Sequence, residues 1–101
     1  MDYSQLSDFE INSLVSAHRW GSVCAVDGLV LHNEKDGEFN PCKNPDDAWL
    51  IIADNGINIL WDWNENGLHG ASANPIWEYE HENVLRAAMV VFLMMQDNNH
   101  A

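Results

Sequence analysis

Apolar positions along this chain change their spacing several times, and each change marks an element. The first signal is helical. Ser7-Asp8-Phe9-Glu10 forms a capping box, with Leu6 and Ile11 placed as a hydrophobic staple. Ile11, Leu14, Val15 and His18 then share one face, and Gly21 ends the run. Spacing then shortens. Ser22–Val26 and Leu29–His32 lean towards strand and flank Asp27-Gly28, which predicts a hairpin whose two turn residues need positive φ. Asn33–Glu38 is a polar loop. Asn44 caps a second helix, with Pro45 at its first position, where the missing N–H costs nothing. This helix stops at Asn55-Gly56, and its apolar character predicts that most of its faces are covered.

Period-two alternation follows. Ile57, Ile59, Trp61 and Trp63 fall on one face, with Asn58 and Asp62 on the other, which predicts a half-buried strand over 57–63. After Asn64–Gly67, the small residues of Leu68–Ala73 predict a returning strand with room for the tryptophans. Asn74-Pro75 turns the chain into a third strand, Ile76–His81, with Glu78 and Glu80 opposite Trp77, Tyr79 and His81. The longest apolar run, Val84–Gln96, is broken only by Arg86 and is preceded by Asn83 as a cap. Its thirteen residues reach roughly 20 Å as helix, well short of a bilayer span. Leu85, Met89, Phe92 and Met95 form one face. Arg86, Val90, Leu93 and Asp97 form the other, apolar through its middle, so the helix should be covered on nearly all sides. Residues 97–101 are expected to fray. The expected fold is one small α+β domain over residues 1–101. It has three helices, a hairpin and a two- or three-stranded antiparallel meander, with the C-terminal helix central to the core.

Charge changes the picture. Sixteen Asp and Glu face four Lys and Arg, for a formal net charge of −12 in 101 residues. Such a surface repels phosphate backbones and anionic membranes and attracts basic partners. Direct nucleic-acid and membrane binding are therefore disfavoured, although the charge could serve solubility alone. No Lys or Arg occurs from Asn44 to Leu85, while Asp46, Asp47, Asp54, Asp62, Glu65, Glu78, Glu80 and Glu82 all do. Trp49, Trp61, Trp63 and Trp77 share that stretch. If the carboxylates align, they imitate a nucleic-acid backbone, with an exposed Trp77 as an anchor. The plainer reading places the acids at solvated positions and the tryptophans in the core. Met89, Met94 and Met95 read as core filling, with an adaptable binding face as the alternative.

Signatures of catalysis are missing. Asp62, Asn64 and Asn66 with Gly67 match the first half of a calcium loop, but the twelfth position is Ala73, where a bidentate Glu is needed. Hairpin chemistry accounts for these residues. His18, His32, His69, His81 and His100 show no zinc spacing, no serine sits in a nucleophile elbow, and no Gly-rich loop cradles phosphate. Asp46 and Asp47 lie at a helix start, where the dipole explains them. No catalytic residue, metal or cofactor is expected. Cys24 and Cys42 form no CxxC, and the polar, acidic Met1-Asp2-Tyr3-Ser4 does not read as a leader. Both thiols are expected as small core residues in a reducing cytosol, with a single disulfide as the alternative.

Three stretches carry a family resemblance: Met1–Asn12, Phe39–Trp49 with Ile51-Ile52, and Leu85–Gln96. Together they resemble the NinX family of lambdoid phages and prophages of enteric bacteria, a family of unknown function. Stretches 16–38 and 60–82 match it less, and the variable face is expected there. The resemblance implies a phage-encoded protein acting in the host bacterial cytoplasm, and it transfers no site residue. The expected function is a non-enzymatic acidic accessory protein that binds a basic phage or host protein, with nucleic-acid-handling and defence factors as candidates. A homodimer built on the Met-rich helix is the second class. A small enzyme or ligand-binding domain with an unsigned pocket is the third.

Overall fold

The computed structural model describes residues 2–21, 24–31, 38–62, 67–74 and 77–99. A 3-10 turn, Tyr3–Gln5, leads into α1 (Asp8–Trp20). The hairpin β1 (Cys24–Val26) and β2 (Leu29–Leu31) follows, then α2 (Pro45–Asn55). The meander β3 (Asn58–Leu60), β4 (His69–Ala73) and β5 (Trp77–His81) leads to α3 (Val84–Asn99). The architecture is α+β, with a two-stranded and a three-stranded antiparallel sheet. The radius of gyration, 13.0 Å, matches the roughly 13 Å of a compact chain of this length.

Local chemistry sets the boundaries. Both halves of the capping box form: Glu10 N–H donates to Ser7 Oγ (3.1 Å) and Ser7 N–H to Glu10 Oε1 (3.0 Å). Gly21 and Gly56 close α1 and α2 in the left-handed region. Asp27 (φ 53°) and Gly28 (φ 76°) make the hairpin turn with two positive φ values, which suits the twist of the flanking strands. Asn44 Oδ1 accepts from Asp46 N–H (3.1 Å) at the start of α2, and Asn83 Oδ1 accepts from Leu85 N–H (3.1 Å) at the start of α3.

Helix α3 is the centre. Val84 and the whole run Arg86–Leu93 are buried, which leaves no solvated face through its middle. Helices α1 and α2 and strands β4 and β5 all pack against it. The strands are in register as Ile59–Ala71–Tyr79 and Asn58–Ser72–Glu78. Ala71 and Ala73 are buried in the core, and Ile59, Trp77 and Tyr79 pack against it, so this face lies towards α3. Asn58 and Glu78 are exposed on the other face.

Several expectations need correction. The third-strand alternation holds, but the strand expected over 57–63 covers only Asn58–Leu60. Asp62 takes φ 51°, a conformation that Asp tolerates and a strand does not, so Trp61 leaves the sheet. Helix α2 is not covered on most faces: Trp49, Leu50 and Ala53 form an exposed stripe. Cys42 is buried, whereas Cys24 is exposed on β1, whose three residues all face solvent; both cysteines are free. In the opening segment Tyr3 is buried. Helix α3 runs on to Asn99, past the end of the apolar run, and the Tyr3 hydroxyl donates to Asp97 Oδ2.

Candidate functional site: an apolar groove with an acidic entry

The residues expected to act together are divided among three places. Asp47 and Asp54 serve the scaffold. Asp47 Oδ2 accepts from Asn40 N–H (2.8 Å), and Asp54 pairs with Arg19 (2.8 Å), which ties α2 to α1. Glu78 and Glu80 are exposed on the outer face of β5. Asp46, in the first turn of α2, Asp62, after β3, and Glu82, before α3, are exposed. Glu65, Asn64 and Asn66 lie outside the described residues, as does Trp63. Of the loop that matches the first half of a calcium loop, Asp62 and Gly67 are described, and the Asp62 N–H donates to His69 Nδ1 (3.0 Å). No group of three or more His, Cys, Asp or Glu among the described residues is placed to hold a metal ion.

The family-like stretch around Asn40–Asp47 works as a polar joint. Buried Asn12 donates from Nδ2 to Asn40 Oδ1 (2.9 Å) and accepts from Cys42 N–H at Oδ1 (3.2 Å). Asn83 Nδ2 then donates to the Cys42 carbonyl (2.6 Å). One loop is thereby fastened to α1, α2 and the start of α3, and its polar groups are paired inside the fold. Burial pushes the Cys42 thiol up to about 12, with the Asp8 carboxylate adding to the effect, so the thiolate is disfavoured at neutral pH.

The sequence reading placed tryptophans in the core, yet Trp49 and Trp61 are 64% and 67% exposed. They flank an open groove of about 600 Å³. Pro45, Trp49 and Ile52 of α2 form one wall. Ile59, Trp61 and His69 form the other, and Glu82–Leu85 close the end. Trp77, the tryptophan expected as an anchor, is half-buried and packs on the core instead. The groove is apolar, and Glu82 is its one carboxylate among the described lining residues. His69 braces Trp61 edge to face, with ring centroids 5.0 Å apart. His69 and His81 pair across β4 and β5, and each accepts a backbone N–H at Nδ1, from Asp62 and Asn83 (2.9 Å) respectively. An accepting Nδ1 places the ring proton of each neutral imidazole on Nε2.

Sequence periodicity could not reveal the groove. It shows which residues share a face but not which face another element leaves uncovered. One signal was present: four tryptophans, Trp49 and Trp61 among them, in a stretch without any Lys or Arg.

No helix of the described residues is long and apolar enough to cross a membrane. No curated protein and no solved structure matches the chain. A family model described as "Bacteriophage P22, NinX" matches residues 2–96, nearly the full length, and the chain therefore belongs to the NinX family of phage proteins.

Proposed function

We propose that this is a non-enzymatic accessory protein of the phage that works in the host cytoplasm by binding another protein through the groove between α2, the meander and α3. The observation that carries the reading is the pair of tryptophans, each about two-thirds exposed, on either side of an apolar groove. Large exposed aromatic side chains cost solubility and are typical anchors of protein interfaces. The groove gathers one histidine and one carboxylate among the described residues, and that histidine is engaged with the backbone. This supports binding over acid–base chemistry.

A net charge of −12 favours a basic partner. Proteins that grip DNA or RNA carry such surfaces, so nucleic-acid-handling and defence proteins are the leading class. A second copy of this chain is a poorer occupant, because it carries the same charge. The test is affinity capture from phage-infected cells with the parent protein and with the double variant Trp49→Ser/Trp61→Ser. A partner held by the parent and lost by the variant is the expected result. Equal retention by both would remove the groove from the account.

A further inference from the structure

Resting on the groove reading, we infer that its occupant is an apolar segment of a partner protein that presents an arginine to Trp49, Trp61 and Glu82. Two observations point to a cation. The groove offers two exposed indoles, whose faces attract guanidinium groups, and the acid Glu82 beside them. No cation of this chain comes from the surrounding stretch, because residues 44–85 contain neither Lys nor Arg. Of the two cations that bound this stretch, Arg86 is buried against Asp8 (2.8 Å), and Lys43 is exposed ahead of α2 and does not line the groove.

A neutral apolar occupant fits less well. Closing the groove would strip water from the Glu82 carboxylate and give it nothing in return. Arginine satisfies both features at once. Its flat guanidinium stacks on an indole while its N–H groups reach a carboxylate, and its stem packs on Ile52 and Ile59. The bracing of Trp61 by His69 holds one wall in place before the partner arrives, which lowers the ordering cost of binding.

The test uses the full chain and two synthetic peptides. One is a twelve-residue amphipathic peptide with alternating Leu and Arg faces. The other replaces each Arg by citrulline, which keeps the shape but removes the charge and exchanges one N–H group for a carbonyl acceptor. Titration calorimetry should show the arginine peptide binding about tenfold more tightly than the citrulline peptide. Glu82→Gln should weaken the arginine peptide about fivefold, and Glu78→Gln/Glu80→Gln on the outer sheet face should leave it unchanged. Equal binding of both peptides, lost together in Trp49→Ser/Trp61→Ser, overturns the arginine inference and leaves the groove reading standing. Equal weakening by the outer-face variant reduces the effect to general charge attraction and overturns the inference. If neither peptide binds at millimolar concentration, both readings fall.

Discussion

Arg86 is the residue on which the N-terminal segment depends. Its Nη1 donates to Asp8 (2.8 Å), and its Nη2 donates to the carbonyls of Tyr3 (3.0 Å) and Leu6 (2.5 Å). It is the one charged side chain buried among the apolar residues of α3, and its Nε is buried without a partner. Truncation would orphan two carbonyls and a carboxylate. Arg86→Ala should therefore cost about 3 kcal/mol in urea unfolding. Asp8→Asn should cost under about 1 kcal/mol, because the Asp8 side chain is 33% exposed and water replaces much of the pair. Similar losses in the two variants would place the energy in the ion pair rather than the carbonyls.

The thiols differ in the same physical way. A thiol reagent should modify Cys24 alone in the native protein and both cysteines in denaturant, because Cys42 is fully buried. Burial raises the Cys42 thiol to about 12 from its ordinary 9.0, and burial beside Asp97 raises the Tyr3 phenol above its ordinary 10.0. In both cases the unfolded chain loses its proton first, so the folded state holds more protons at alkaline pH. Stability is full below pH 9 and falls as pH rises towards 12. Cys42→Ala should flatten the start of that decline in unfolding measured across pH. An unchanged slope would contradict the assignment.

At the scale of elements, caps and turns carry separable amounts of stability. Ser7→Ala should cost about 1 kcal/mol, and Ser7→Gly only a few tenths, as thermal unfolding would show. Gly28→Ala should cost about 1 kcal/mol through its positive φ alone, since no atom lies within 4 Å of the added carbon. These features were legible in the sequence because each depends on a few adjacent residues. The capping box at Ser7–Glu10, the Asp27-Gly28 turn, the Asn44-Pro45 start and the burial of Arg86–Leu93 all follow from local chemistry or an unbroken pattern. The exposed stripe of α2 did not show, because Trp49 and Leu50 are as apolar as a covered face would be. The early end of β3 did not show either. It depends on Asp62 choosing the left-handed region, which Asp permits but does not require. The roles of Arg86 and Asn12 were hidden because their partners lie far away along the chain, at Tyr3, Leu6 and Asp8 for one and at Asn40 and Cys42 for the other.

Across the whole molecule, scaffold and working surface separate. Helix α3 holds α1, α2 and the meander together. The polar joint at Asn40–Asp47 and the Arg86 bonds fix the connecting segments to that frame. Among the acids, Asp47 bonds the Asn40 N–H and Asp54 pairs with Arg19, while Asp46, Asp62, Glu78, Glu80 and Glu82 are exposed. What remains for binding is the groove at the end of the stack, where the two exposed tryptophans contribute little to the core. Trp49→Ser/Trp61→Ser should accordingly change unfolding stability by less than about 0.5 kcal/mol. The most direct measurement is an NMR titration of the labelled protein with the arginine peptide, read at the tryptophan indole N–H signals. The account predicts that Trp49 and Trp61 shift while Trp20 and Trp77 stay in place. Shifts at Trp20 or Trp77 with Trp49 and Trp61 unmoved would contradict it.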